Sequence, residues 1–154
     1  MTANERSFKR DAWISQRHRT WGMDVPMQDL DFICAEYDRA IPVALTDYKH
    51  ENAPIDLNSI GAKVLTNLGD MAGIPAFFVR YGHTNQDGYW GDIAEDSTPW
   101  FQLLPLNVYA HGLDLPSFDN NTRLTELEYV SWLYTIRGRT IPPAIVNKIA
   151  GQET

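Results

Sequence analysis

Two segments, Asp29-Leu30-Asp31-Phe32-Ile33-Cys34 and Ala44-Leu45-Thr46-Asp47-Tyr48-Lys49, decide the architecture of this chain. Each is a short apolar run of strand length with charge at one end. The polar interruption around Asp38 and Arg39 between them reads as a hairpin turn. Leu30, Phe32, Ile33 and Cys34 suit a strand covered on both faces, and Val43, Ala44 and Leu45 form the body of a second strand over Pro42 to Lys49.

Beyond the turn-like Asn52-Ala53-Pro54, the residues Leu57, Ile60, Val64, Leu68 and Met71 repeat at three and four. That spacing predicts a helix with Asp56 or Asn58 as N-cap and Gly73 as its stop. Pro75 leads into a strand over Ala76 to Tyr81, and Trp100 to Tyr109 reads as another. The polar stretch Gly82 to Pro99 between them is a lid, a substrate loop or a plain surface excursion. Further helices are expected over Asn4 to His18, before a connector at Trp21 to Pro26, over Leu124 to Ile136, and from Pro142 and Pro143 to Ile149. The order helix, strand, strand, helix, strand, strand, helix defines an α/β chain, a single-domain mixed β-sheet flanked by helices.

A length of 154 residues fits one domain, and 44% hydrophobic residues with five Trp, seven Tyr and six Phe are far from a disordered composition. Cys34 is the sole cysteine, which leaves no internal disulfide and no cysteine cluster for zinc or iron–sulfur, and fits a reducing compartment. With no apolar run in the first twenty residues, and no window of about 18 apolar residues later, the reading is a soluble, cytoplasmic protein with no membrane partner. The net charge of −7 argues against a protein that coats nucleic acid. Five of the thirteen basic residues nevertheless lie in the first twenty positions, either as a solvated helix face or as a surface for phosphates, with Arg17 and Arg19 the preferred contacts.

Asp31 and Asp47 lie eight residues on either side of Arg39, so they should face each other across the hairpin. Opposed residues on antiparallel strands have Cβ atoms ~5 Å apart, and like charges there need compensation. A divalent cation supplies it, and Mg²⁺ commonly takes only one or two carboxylates, keeping water for the rest. Lys49 follows Asp47 by two and so projects from the same strand face. Two carboxylates, the Tyr48 main-chain carbonyl as a further metal ligand, and a lysine that orients water or offsets negative charge form a set suited to phosphodiester cleavage. The bland alternative is a solvated strand edge, where an acid two residues before a lysine is common. A salt bridge from Lys49 to one carboxylate would still leave the other unpaired.

The run from Arg6 to Tyr81, with an initial helix, Asp29-Leu30-Asp31-Phe32-Ile33, Ala44-Leu45-Thr46-Asp47-Tyr48-Lys49 and an amphipathic helix, resembles the PD-(D/E)XK nuclease superfamily. The resemblance implies a restriction-endonuclease-like α/β/α core and Mg²⁺-dependent hydrolysis of nucleic acid, with Mn²⁺ as a substitute. DNA is the expected partner and endonuclease action the expected mode. It assigns Asp31 as the first acid, Asp47 as the acid of the second motif and Lys49 as its lysine. No proline precedes Asp31, Asp29 competes for its role, and Glu5 or Asp11 would be the acid that members often carry on the first helix.

The rival readings are an inactive module of this fold that binds nucleic acid or a protein, and a structural component of an assembly. A homodimer is compatible with each, and in the last the helix around Trp132 and Tyr134 would form the interface. His18, His50, His83 and His111 are scattered, so no hydrolase triad is expected, and His50 should face away from Lys49. Lys63 and Asn67 share a face of the second helix, where they either reach substrate or, as the preferred reading, sit solvated. Trp90, in the long loop, is the tryptophan to test for base stacking.

Overall fold

Residues 41–50 organise the molecule, because strands pair with them on both sides. The computed structural model describes residues 9–22, 28, 30–86, 91–113 and 122–152. Strand β1 (Phe32–Glu36) turns through a 3-10 helix at Tyr37–Arg39 into β2 (Ile41–His50), its antiparallel neighbour. Ala40 closes that turn in the left-handed region, at φ 55°. On its other side β2 pairs in parallel with β3 (Ala76–His83), which requires a crossover, here made by helix α2 (Ile60–Ala72). Antiparallel β4 (Pro99–Pro105) and the two-residue β5 (Leu124–Thr125) complete a mixed sheet of order β1-β2-β3-β4-β5.

Alternation along the strands sends side chains to two cores. Ala44, Phe77, Val79 and Leu103 pack with Tyr129 and Trp132 of helix α4 (Glu126–Ile136) on one face of the sheet. Leu45, Ala76 and Phe78 pack against Ala62 and Leu65 of α2 on the other. The expected α/β class is thus realised as one mixed sheet between helices. Trp132 belongs to the core rather than to an exposed interface.

Helix α2 departs from expectation in two ways. Its N-cap is Ser59, whose side chain accepts the Ala62 N–H, while Gly73 stops it as predicted at φ 70°. Its sequence-apolar stripe also faces outward: Ile60 is 74% and Met71 86% exposed, with Leu57, Val64 and Leu68 exposed beside them. The buried side is Ala62, Leu65 and Gly69. The cause is a close approach, since a Cβ at Gly69 would lie 2.7 Å from Asn107 Nδ2 and 3.0 Å from the Ile74 carbonyl oxygen. Asn107 holds that seam: it is buried, accepts the Ala76 and Ala110 N–H groups at 3.1 and 3.0 Å, and donates to the Ile74 carbonyl at 2.9 Å. Only small residues fit against it. Gly69→Ala is therefore expected to destabilise the fold by about 1–3 kcal/mol, read as a lower thermal midpoint; an unchanged midpoint would mean that the seam yields.

Strand β1 is an edge strand rather than a covered one, with Phe32 55% and Ile33 53% exposed. After Pro105 the chain enters a short helix α3 (Val108–His111) capped by Asn107, so the expected strand to Tyr109 is cut short. The first helix, α1 (Lys9–Trp21), runs past His18 through Trp21; Asn4 to Phe8 lie outside the described residues. Leu124 and Thr125 form β5, and Thr125 with Glu128 makes a capping box that starts α4. The last helix, α5 (Pro143–Gln152), follows as expected. In the long loop β3 extends to His83 and Gln86 bridges Ile93; Trp90 lies outside the described residues. Among the described residues no helix is long and apolar enough to cross a membrane.

The hairpin is latched at its turn. Glu36, 1% exposed, receives two hydrogen bonds of 2.6 Å from Arg139, which also donates to Asp38 at 2.8 Å. These bonds hold the Glu36 carboxyl below its ordinary range, against the opposing effect of burial.

Candidate active site

At the other end of the hairpin β1 stops at Phe32 while β2 runs on to His50. The Leu45 and Glu51 N–H groups bond to the Pro75 and Tyr81 carbonyls, so odd-numbered residues of β2 turn their peptide groups toward β3 and even-numbered ones toward β1. Past Thr46 the even-numbered groups have no strand to meet. The Asp31 carboxylate fills part of that gap and accepts the Tyr48 N–H at 3.0 Å. In a strand the N–H and C=O of one residue point the same way, so the Tyr48 carbonyl is directed to the same open edge.

The paired register ends at Phe32↔Thr46, with the irregularity between Cys34 and Ala35 on its turn side, and Asp31 and Asp47 are the next residues outward, their carboxyl groups within hydrogen-bonding reach of each other. The predicted juxtaposition is therefore present, on the α2 face of the sheet. Lys49 shares that face, with Nζ 3.5 Å from Asp47 Oδ2 and 5.7 Å from the centre of the Phe78 ring. Its side chain is 35% exposed and that of Asp47 26%, so the pair is neither sealed in the core nor free in solvent. Burial, then a hydrogen bond with Asp31, then the Asp31 charge push the Asp47 carboxyl up to about 6, while Lys49 opposes the shift.

These residues line a cleft of about 450 Å³. The opposite wall is the start of α2, with Ser59, Gly61 and Ala62, and the loop before it, with Pro54 and Asp56. The positive end of the helix dipole thus faces the carboxylates and favours anions in the space between. Gln28 closes one side by donating to the Gly61 carbonyl at 3.0 Å.

The donors at this end of the hairpin are oxygens, the two opposed carboxylates that line the cleft and the Tyr48 main-chain carbonyl at the open sheet edge beside it. Among the described residues no three His, Cys, Asp or Glu side chains converge. Such a set fits Mg²⁺, which tolerates few protein ligands and fills its octahedron with water and substrate oxygen. Soft or imidazole-preferring metals find no matching ligands in it.

The remaining candidates lie elsewhere. Arg17 and Arg19 are exposed on α1 and are not among the residues lining the cleft. Glu5, Asp29 and the Asp11 side chain fall outside the described residues. Lys63 and Asn67 are exposed on α2. His50 faces away from Lys49 as expected, its Nε2 3.0 Å from Gln86 Oε1 and its Nδ1 accepting the Asn52 N–H at 3.2 Å. Sequence reasoning missed Asp56, Ser59 and Phe78 as cleft residues. The polar run Asp56-Leu57-Asn58-Ser59 ahead of the helix was the available signal for the first two.

Comparison with protein-family models, with curated proteins and with solved structures gives no match.

Proposed function

We propose that this protein is a Mg²⁺-dependent nuclease that hydrolyses phosphodiester bonds of DNA, as the resemblance to the PD-(D/E)XK superfamily implies. The observation that carries this reading is the opposition of Asp31 and Asp47 at the open end of the hairpin, with Lys49 on the same face. The Asp31 carboxylate disfavours the ionised form of Asp47 beside it, an arrangement that a cation relieves. Asp31, Asp47 and the Tyr48 carbonyl would hold Mg²⁺, which supplies Lewis acidity toward a phosphoryl oxygen and a more acidic bound water. Lys49 orients the attacking water or offsets the charge gathering on the phosphate in the transition state. The N-terminus of α2, across the cleft, contributes further positive potential.

The test is incubation with linear, circular, branched and single-stranded DNA in Mg²⁺ or Mn²⁺, with Lys49→Ala in parallel. Metal-dependent cleavage that the variant lacks is expected, and cutting of circular DNA would identify an endonuclease. A folded parent that cuts none of these substrates would overturn the reading in favour of a binding module.

A further inference from the structure

Arg80 follows Phe78 by two on β3 and is aligned with Lys49 on β2 and with Gln102 on β4. Aligned residues of neighbouring strands share a face and stand ~4.8 Å apart, so Arg80 extends the Lys49 position sideways across the sheet, away from Asp31. Its Nε is shut off from solvent and has no hydrogen-bond partner. Among the described residues no carboxylate forms an ion pair with it, and the two acids that flank Lys49, Asp47 on β2 and Glu51 just beyond its end, are otherwise engaged. Asp47 is with Lys49 at 3.5 Å, and Glu51 is with Arg123 at 4.0 Å. Arg123 in turn lies over the Trp100 ring at 3.9 Å, fixing the far end of this strip.

A guanidinium half withdrawn from water without a counter-charge is costly, and the cost is recovered when an anion arrives. In a chain of net charge −7, Arg80 stands next to the cleft residue Lys49, and Arg123 lies further across the same sheet face over Trp100. We infer that Arg80 binds a backbone phosphate of the nucleic acid next to the one held at Asp31, Asp47 and Lys49. Resting on the nuclease reading, this assigns substrate binding to the β3 side of the site rather than to Arg17 and Arg19 of α1. The planar fork of Arg80 suits a bidentate grip on phosphate oxygens.

The experiment is a salt titration of binding to a fluorescent DNA duplex and to its single strand, with Ca²⁺ replacing Mg²⁺, for the parent, Arg80→Ala, Arg80→Gln and Arg80→Lys. Loss of one phosphate contact should weaken binding about tenfold and reduce the slope of log K against log salt by about 0.7–0.9. Arg80→Lys should recover most of that slope, and thermal midpoints should match or exceed the parent's. An unchanged slope with affinity within twofold overturns the inference, as does a lowered midpoint with an unchanged slope, the mark of a structural arginine. Arg80→Gln keeps the length of the side chain and decides the matter if the alanine variant does not fold. A parent that cleaves DNA with no dependence on Arg80 sinks this inference alone; a parent that neither binds nor cleaves sinks the nuclease reading with it.

Discussion

Lys49→Ala is expected to slow DNA cleavage by at least ~100-fold, and Asp47→Asn by ~1,000-fold or more, with the fold of each variant intact. The first figure follows from removing one charge-stabilising donor beside the reacting phosphate. The second is larger because Asp47 would both bind the metal and hold Lys49, its Oδ2 lying 3.5 Å from the ammonium. Single-turnover rates on the best substrate of the panel, together with circular dichroism, measure both. Either variant cutting at the parent's rate would remove that side chain from the mechanism. Tyr48→Phe is the internal control: its hydroxyl meets that of Tyr129 on the opposite face of the sheet, so its loss should leave the chemistry untouched.

Metal-free Asp47→Asn is expected to be more stable than the parent at pH 8 and no more stable at pH 4. Asp47 titrates at about 6 in the folded protein against 3.8 for the free side chain. A carboxyl with a raised folded pKa favours the folded state fully below 3.8, and that contribution disappears as pH climbs through 6. Two pKa units correspond to at most ~3 kcal/mol, reduced by the partial exposure of the group, or several degrees in thermal midpoint. Melting curves in chelator at the two pH values give the difference directly, and equal differences at both would remove the repulsion from the account. Addition of Mg²⁺ at pH 8 should raise the midpoint of the parent and not that of the variant.

The hairpin and the pairing of Asp31 with Asp47 were legible in the sequence because antiparallel register is nearly local: one turn fixes which residues meet. The irregularity between Cys34 and Ala35 falls between turn and site, and the pairs beyond it keep the symmetry about Arg39. The inward face of α2 was not legible. It depends on Gly69 meeting Asn107 and Ile74, a contact that hydrophobic periodicity does not encode, so the stripe from Leu57 to Met71 pointed the wrong way. The end of β4 could have been read, since Asn107 before Val108-Tyr109-Ala110 is an N-cap signal. Arg80 was invisible for a topological reason: only the parallel crossover through α2 sets β3 beside β2 and aligns Arg80 with Lys49.

Arg139 reaches back 103 positions to Glu36, and Tyr129 reaches 81 to Tyr48. Every residue proposed to hold the metal lies within the first third of the chain, so the motif looks portable. Its scaffold is not: the hairpin that presents Asp31 to Asp47 is fastened at its turn by the α4–α5 junction and roofed by α4. A fragment cut after β3 would keep every motif letter and lose both fastenings. Transplantation of the proposed catalytic element into another host, or its excision as a minimal unit, therefore has to carry the C-terminal helices along with it.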